Sequence, residues 1–183
     1  VEALNLSIVY GARTVCGPLE FTIRQGERIA LSGQTGSGKS STVKLLLREE
    51  IPHTGTLRTA SGLIIPYMLQ DTSFLQGTGL NYARANGLDE TLFLTILRKL
   101  DFPRVQFEKD MKDFSAGQKK KVLIAKSLCE PAHLYVWDEP LNYIDVYSRI
   151  QIEQLIRQFS PAMLLVEHDV TFQKEIDAKV ITL

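Results

Sequence analysis

A short run of residues in the first quarter of the chain has the types and spacing needed to hold phosphate groups. It is Gly33-Gln34-Thr35-Gly36-Ser37-Gly38-Lys39-Ser40, which fits the pattern G-x-x-x-x-G-K-[S/T]. Glycines let a backbone curve tightly enough for successive N–H groups to point at phosphate oxygens. In this pattern Lys39 brings positive charge to the β- and γ-phosphates, and the hydroxyl of Ser40 ligates Mg²⁺.

The residues on either side give this run the setting that a phosphate-binding loop needs. Arg28 to Ser32 is typical of a buried strand, and Thr42 to Arg48 is typical of a helix. The positive end of that helix would face a bound anion. The alternative is a turn rich in glycine and serine that binds nothing, and the strand and helix around the run disfavour it. We therefore predict that Gly33 through Ser41 hold the phosphates of a nucleotide.

Two adjacent carboxylates end another apolar run. His133 to Trp137 predicts a strand, and Asp138 and Glu139 follow it directly. Open α/β sheets place their ligands at the carboxyl ends of strands. Asp138 suits holding Mg²⁺ through water, and Glu139 suits polarising an attacking water. A solvated acidic turn is the simpler interpretation of these residues alone, but the preceding phosphate loop favours the catalytic one.

Strands alternate with helices along the chain, which predicts an α/β fold with a mostly parallel core sheet. The strands Leu4 to Ile8 and Leu19 to Ile23 are expected to form an antiparallel appendage at the N-terminus. The helical stretch Asn81 to Leu100 is assigned to a small helical subdomain of about residues 80–128 within one domain of residues 1–183. The other expected elements are strands at Thr56–Thr59, Leu63–Leu69, Ala162–Val166 and Val180–Leu183, and helices at Ala116–Cys129, Val146–Phe159 and Phe172–Ile176. Apolar helix faces are predicted at Leu92, Ile96, Leu97 and Leu100, and at Ile150, Ile152, Leu155 and Ile156.

Composition excludes several classes of function. Lys plus Arg and Asp plus Glu both number 21, so the net charge is zero and a dedicated basic nucleic-acid surface is not expected on this segment. Cys16 and Cys129 match no metal-ligand spacing and suit a reducing cytoplasm as small buried residues. No apolar run is long enough to cross a bilayer. Because the chain opens on Val1 and both ends read as strands, we expect a domain cut from a longer cytoplasmic protein.

The segment Phe114-Ser115-Ala116-Gly117-Gln118 resembles the LSGGQ signature motif of the ABC ATPases. The resemblance implies that Ser115, Gly117 and Gln118 contact the terminal phosphate of ATP from a helix N-terminus. Ala116 departs from the family's first glycine, and its methyl would crowd a close contact with the nucleotide. The basic run Lys119 to Lys121 that follows is predicted to be a solvated helix face, with contact to phosphate or RNA as the alternative.

The same resemblance implies roles for further residues. Gln70 matches the Q-loop glutamine, which reaches Mg²⁺ and the attacking water, and Asn142 to Asp145 matches the D-loop, which crosses the dimer interface. His168 matches the switch histidine beside the γ-phosphate, where a neutral imidazole donates to developing charge. Tyr10 matches the aromatic residue that stacks on adenine, although packing at a strand end is an alternative for it.

Within the ABC ATPases the chain most resembles the ABC-F family, whose members carry two ABC domains. The resemblance is carried by Phe114 to Val122, Trp137 to Val146 and Ser148 to Glu153. The D-loop sequence N-Y-I-D is closer to the ABC-F form N-H-L-D than to the transporter form S-A-L-D. The sequence around Trp137 is similar to that of the second ABC domain of ribosome-protecting antibiotic-resistance proteins of Gram-positive bacteria. The arm insertion that the family places in the first domain is absent, which favours the second.

The ABC-F resemblance implies that two ABC domains sandwich ATP and that closure changes affinity for the ribosome. Lys39, Ser40 and Asp138 would then place charge and Mg²⁺, while Glu139 activates water. Gln70 and His168 would arrange the γ-phosphate, and turnover would be slow without the second ABC domain. One alternative is the nucleotide-binding domain of a membrane transporter, since Asp71 to Leu75 resembles the transporter docking region. A non-catalytic, ATP-gated interaction module is the other.

Overall fold

The computed structural model describes all residues from Val1 to Leu183, and they form two compact units. The first unit consists of Val1–Tyr67, Ala132–Trp137 and Ser160–Leu183. The second unit consists of Met68–Pro131 and Asp138–Phe159. Each unit is therefore built from segments that are separated in sequence.

The chain folds into eight strands and six α-helices, with two short 3₁₀ turns. The strands are β1 (Glu2–Tyr10), β2 (Arg13–Thr22), β3 (Arg28–Ser32), β4 (His53–Arg58), β5 (Tyr67–Met68), β6 (Tyr135–Asp138), β7 (Met163–Val166) and β8 (Lys179–Thr182). The helices are α1 (Lys39–Leu46), α2 (Gly79–Ala85), α3 (Glu90–Lys99), α4 (Ala116–Cys129), α5 (Val146–Phe159) and α6 (Val170–Glu175). The 3₁₀ turns cover Arg104–Gln106 and Met111–Asp113.

The strands form one antiparallel and one parallel sheet, which confirms the predicted α/β fold. The antiparallel sheet has the order β2-β1-β4, and the core sheet has the order β5-β6-β7-β3-β8. In the core sheet β3 runs parallel to β7 and to β8, with Leu31 opposite Val166 and Ile181. The ends of β3 and β7 therefore lie side by side, and so do the loops that follow them.

The core of the first unit explains why β3 reads as a continuous apolar run. Ile29 and Leu31 are at most 1% exposed and pack with Val136 of β6 and with Leu164 and Val166 of β7. A strand in the middle of a parallel sheet is covered on both faces, so it has no polar side. This packing holds the carboxyl end of β3, where the phosphate loop starts, in a fixed place.

Two predicted elements are shortened or divided in the structure. The stretch Leu63–Leu69 forms a strand only at Tyr67–Met68, and Pro66, which lacks an N–H group, directly precedes it. The helix expected over Asn81–Leu100 is divided into α2 and α3 because Gly87, with a φ of 64°, ends the first helix. Asp89 then starts α3 by accepting a hydrogen bond from the backbone of Leu92.

The buried faces of α3 and α5 agree with the predicted ones at all but one position each. The core positions on α3 and at its C-cap are Phe93, Ile96, Leu97 and Leu100, whereas Leu92 is 44% exposed. In α5 the residues Ile152, Leu155 and Ile156 are buried as predicted, whereas Ile150 is 43% exposed. Ser148 occupies the buried position instead, and its hydroxyl donates to the carbonyl of Leu100 at 2.9 Å. A hydrophobic pattern cannot anticipate a polar residue in that place.

Candidate functional site

The phosphate loop lies in the first unit, between the end of β3 at Ser32 and the start of α1 at Lys39. Lys39 is 9% exposed. Its Nζ atom donates to the carbonyl of Gly33 at 2.7 Å and to the carbonyl of Gln34 at 2.8 Å. The loop therefore curves around an ammonium group, which gives it the positive charge that a polyphosphate requires.

Two positions in this loop cannot carry a side chain. A Cβ atom on Gly33 would lie 2.6 Å from the carbonyl oxygen of Leu183, and one on Gly38 would lie 2.7 Å from Sγ of Cys16. Both glycines also have positive φ values, 149° and 95°. The tight curve of the loop thus depends on the residue types that the sequence pattern singled out. Cys16 is buried under the loop, which agrees with its predicted role as a small core residue.

The loop also contains a polar atom that the chain leaves unsatisfied. The hydroxyl of Ser37 is buried and has no hydrogen-bond partner, and its neighbours Gln34, Thr35, Gly36 and Ser40 are exposed. A buried hydroxyl without a partner calls for an explanation, and a loop shaped for a polar ligand supplies one. Together with the N-terminus of α1, this atom makes the loop fit an anion such as a polyphosphate.

Tyr10 stands at the end of β1 in the same unit. Its hydroxyl lies 3.0 Å from Oγ of Ser41 in α1, and 45% of its surface is exposed. The contact with Ser41 joins the tyrosine side chain to the helix that follows the phosphate loop. The stacking of Tyr10 on adenine stays a prediction.

His168 follows β7, and the pairing of Leu31 with Val166 places its turn beside the start of the phosphate loop. The imidazole is exposed, but the backbone of the turn is firmly held. Oε1 of the buried Glu167 accepts hydrogen bonds from the N–H of His168 at 2.7 Å and from the N–H of Asp169 at 3.0 Å. Oε2 of Glu167 is buried and has no partner.

The second unit gathers the carboxylates and the Q-loop glutamine. Oε2 of Glu139 accepts a hydrogen bond from Nε2 of Gln70 at 2.6 Å and another from Nδ2 of Asn142 at 2.6 Å. The carbonyl oxygen of Asp138 accepts a hydrogen bond from Nζ of Lys120 at 3.3 Å. Glu139 and Gln70, which the sequence places 69 residues apart, are thus in direct contact.

Ser115 caps α4 and forms a reciprocal pair with Gln118. The backbone of Gln118 donates to Oγ of Ser115 at 3.2 Å, and the backbone of Ser115 donates to Oε1 of Gln118 at 3.0 Å. Ala116, which departs from the family's glycine, is exposed. The glycine that this segment requires is Gly117, where a Cβ atom would lie 2.4 Å from the carbonyl oxygen of Tyr143.

The basic run on α4 is not a solvated face, and that prediction is wrong for two of its three residues. Lys120 is 2% exposed and Lys121 is 7% exposed. Nζ of Lys121 lies 2.7 Å from Oδ2 of Asp145, which also accepts a hydrogen bond from the hydroxyl of Ser148, while Oδ1 accepts one from the Ser148 backbone. Although partial burial opposes ionisation, these hydrogen bonds and the charge of Lys121 hold the pKa of Asp145 well below its usual range.

Three loops of the second unit surround a cleft of about 290 Å³. It is lined by Gln70, Asp71, Thr72, Ala116, Lys120, Asn142 and Tyr143. The Q-loop, the start of α4 and the turn after β6 therefore meet in this unit. The predicted site residues are thus divided: Tyr10, Gly33 to Ser41 and His168 lie in the first unit, and Gln70, Ser115 to Gln118, Asp138 and Glu139 lie in the second.

No group of three or more histidine, cysteine or acidic side chains in the chain could form a protein-only metal site. Mg²⁺ does not require one, because it is often bound by one or two protein groups together with substrate phosphates. The predicted ligands Ser40, Gln70 and Asp138 belong to that kind of donor set. The structure therefore leaves their assignment to Mg²⁺ as a prediction.

Sequence reasoning missed the contacts that three residues make, Glu167, Lys121 and Asn142. The amino-acid sequence around Glu167 does not indicate that its side chain binds the turn that carries His168. The sequence around Lys121 likewise does not indicate its pairing with Asp145. Asn142 was noted only as part of the D-loop, although its position three residues after Glu139 is a spacing that allows a side chain to reach back across a turn. The contact of Asn142 with Glu139 is the one that a spacing argument could have found.

Comparison with known proteins shows the family of this chain. Residues 16–142 match the family model described as "ABC transporter". The chain therefore belongs to the ABC transporter family, whose domains in general bind and hydrolyse ATP. No helix in the structure combines the length and the apolar character needed to span a membrane.

The curated relatives point to the ABC-F branch. The chain is 28% identical to the ribosome protection protein VmlR of Bacillus subtilis, over 99% of this chain and 34% of that protein. It is 29% identical to the ATP-binding protein Uup of Caulobacter vibrioides, over 100% and 32%. It is 28% identical to ABC transporter F family member 2 of Arabidopsis thaliana, over 99% and 28%. These matches are those of an ABC-F ATPase domain, and the chain spans about a third of the length of these relatives.

Solved structures share the fold. The archaeal ribosome recycling factor aABCE1, in a complex with the ribosomal stalk protein aP1, superimposes with a TM-score of 0.78 at 25% identity. That match covers 100% of this chain and 36% of the other. The ATP-binding subunit of an ABC transporter gives a TM-score of 0.78 at 24% identity and covers 100% and 85%. The fold is therefore that of the ABC ATPase domains.

Proposed function

We propose that this chain is the ATP-binding and ATP-hydrolysing domain of an ABC-F protein that acts on the ribosome. The observation that supports it most directly is the geometry of the phosphate loop. The loop combines a buried lysine, two positions where only glycine fits and a buried serine hydroxyl without a partner. The names of two matches, a ribosome protection protein and a ribosome recycling factor, support the ribosome as the partner. The protein would act in the cytoplasm.

The reaction requires positioning and charge more than covalent chemistry. Lys39 and the backbone of residues Gly33 to Ser41 would hold the phosphates, and Ser40, Gln70 and Asp138 would hold Mg²⁺. Mg²⁺, when bound, neutralises charge on the phosphates. Glu139 would accept a hydrogen bond and then the proton of the attacking water, while Tyr10 would stack on the adenine.

A second ABC domain would complete the catalytic arrangement. In the proposed sandwich, Ser115, Gly117 and Gln118 would contact ATP bound to the other domain, and His168 would donate to the γ-phosphate in its own domain. Because half of each ATP site comes from the second ABC domain, this chain alone would hydrolyse ATP slowly. Closure of the two domains around ATP would favour the form that binds the ribosome, and ATP hydrolysis would release the protein from the ribosome. We further propose that this is the second ABC domain and that ribosome protection confers antibiotic resistance.

Changing Glu139 to glutamine in the full-length protein tests the catalytic part of the proposal. We expect ATP binding to persist and phosphate release to fall by about 10²–10⁴-fold, because the amide cannot take a proton from water. ATP-dependent co-sedimentation of this variant with ribosomes should increase, since the closed form is no longer released.

Glu108→Gln, at an exposed position of the second unit, is the matched control. Undiminished phosphate release by Glu139→Gln would rule out Glu139 as the base, and unmodified protein that binds ATP without releasing phosphate would indicate a non-catalytic module.

The nucleotide-binding domain of a membrane transporter is the second candidate. The observation that favours it is the exposure of Leu69 and Phe74, 46% and 47%, around the Q-loop segment that resembles a transporter docking region. Fractionation of cells that express the full-length protein separates the two candidates. Recovery with ribosomes in ATP supports the ABC-F proposal, and recovery with membranes that resists high salt supports the transporter.

A further inference from the structure

The carboxylate of Glu139 is held by two side chains that approach the same oxygen. Nε2 of Gln70 and Nδ2 of Asn142 each lie 2.6 Å from Oε2. An ionised carboxylate only accepts hydrogen bonds, so both amides must present their NH₂ groups to it. All three residues belong to the second unit.

The backbone around Glu139 is constrained as well. Glu139 has a φ of 47° and Tyr143 has a φ of 66°, a region that residues other than glycine rarely adopt. The N–H of Asn142 faces the carbonyl oxygen of Glu139 at 3.4 Å, so the turn closes on itself. A non-glycine residue in this conformation persists only where its surroundings hold it, and such residues are concentrated at functional sites.

We infer that Asn142 is a positioning residue for the proposed catalytic base, and this inference rests on the proposed function. Its backbone closes the turn after β6, and its side chain fixes the carboxylate of Glu139 at the start of that turn. Gln70 has a competing task, because its proposed role is to reach Mg²⁺ and the attacking water. When Gln70 turns towards them it releases Oε2, and Asn142 then remains as the donor that orients Glu139 within its own domain.

The change Asn142→Asp in the full-length protein tests this role, because aspartate has nearly the same shape but, when ionised, cannot donate to Glu139. We expect turnover to fall about ten- to hundredfold, the range for a hydrogen bond to a charged group, with little change in the affinity for ATP. Asn142→Ser keeps a short donor and should recover part of the loss. Asn81→Asp makes the same chemical change at an exposed position on α2 and should leave turnover unchanged.

A double-variant measurement separates positioning from general damage. In a Glu139→Gln background the loss caused by Asn142→Asp should disappear, because the two residues act as one unit. A further loss in that background, or lowered ATP affinity that accounts for the whole effect, would overturn the inference. The inference would also be overturned if the Asn142→Asp protein hydrolysed ATP at the rate of the unmodified protein while the Glu139→Gln protein did not. If the unmodified protein releases no phosphate, the proposed function fails first, and the inference fails with it.

Discussion

At the scale of single residues, Glu167 shows how this chain holds the backbone beside His168, a predicted site residue. Oε1 satisfies two consecutive N–H groups, those of His168 and Asp169, and Nε2 of Gln173 donates to the Glu167 carbonyl at 2.7 Å. The imidazole of His168 is exposed, so its position depends on the turn and not on packing of the ring. Only one carboxylate oxygen takes part in holding the turn, since Oε2 is buried without a partner.

Removing that carboxylate should therefore loosen His168. We expect Glu167→Ala to lower turnover about tenfold, because the two N–H groups lose their acceptor and the turn can change shape. Glu167→Gln keeps one carbonyl oxygen in place of Oε1 and should retain most of the activity. Steady-state phosphate release measures both, with Glu175→Ala on α6 as the control. Equal losses in the alanine and glutamine variants would contradict the idea that Oε1 is the atom that matters.

At the scale of elements, helix α4 and the turn after β6 are joined at two points within the second unit. Gly117 lets the carbonyl oxygen of Tyr143 approach so closely that a side chain would not fit. One turn further along the helix, Lys121 pairs with Asp145 at 2.7 Å. The signature segment and the D-loop of this chain therefore support each other, and the substitution Ala116 lies outside the contact that demands glycine.

The pairing of Lys121 with Asp145 predicts a stability that depends on pH. Folding lowers the pKa of Asp145, so the ionised aspartate stabilises the folded protein. This stabilisation is complete above the pKa of the aspartate in the unfolded chain. It is lost as the pH falls towards the pKa of Asp145 in the folded protein. At pH 7 we expect Asp145→Asn to destabilise the protein by about 1–2 kcal/mol, less than for a fully buried pair, since the Asp145 side chain is half exposed.

The difference between the unmodified and variant proteins should shrink below about pH 4, where the aspartate of the unfolded chain becomes protonated. Urea unfolding at a series of pH values measures it. Asp113→Asn, at an exposed site in the same unit, should show no such trend. A difference that stayed constant down to pH 2 would show that the ion pair does not stabilise the fold.

Much of the fold could be predicted from local patterns. Helix α4 covers the predicted residues, and it begins after Ser115, which is predicted from the sequence as its N-cap. The buried strands β3, β6 and β7 were also legible as apolar runs. The burial of Lys120 and Lys121 was not, since it depends on partners that lie 18 and 24 residues further along the chain. The same holds for Glu139 and Gln70, whose contact is created by folding.

At the scale of the whole molecule, the chain carries two sets of predicted site residues and spans about a third of the length of its curated relatives. The phosphate loop belongs to one compact unit and the signature segment to the other. In the proposed mechanism these two sets serve different ATP molecules, because each loop works with the signature segment of the opposite domain. Two copies of this chain, paired with two-fold symmetry, could therefore imitate the tandem arrangement.

Mixing two inactive variants of the 183-residue chain would reveal such a pairing. Lys39→Ala removes the charge of the phosphate loop and Ser115→Ala removes the cap of the signature segment, so each should be inactive as a homodimer. A mixed dimer retains one intact pair, the loop of the Ser115→Ala chain and the signature segment of the Lys39→Ala chain. The mixture should then release phosphate at up to about a quarter of the unmodified rate, since half of randomly paired dimers are mixed and each has one working arrangement.

The control replaces the Ser115→Ala chain with a chain that carries both changes, which leaves no intact loop in the mixture. Activity should then stay at the level of the separate variants. Phosphate release by the first mixture should also rise with protein concentration, because association is required before turnover. A mixture no more active than the average of its components would show that each chain uses its own signature segment, and the two-domain sandwich would have to be abandoned for this protein.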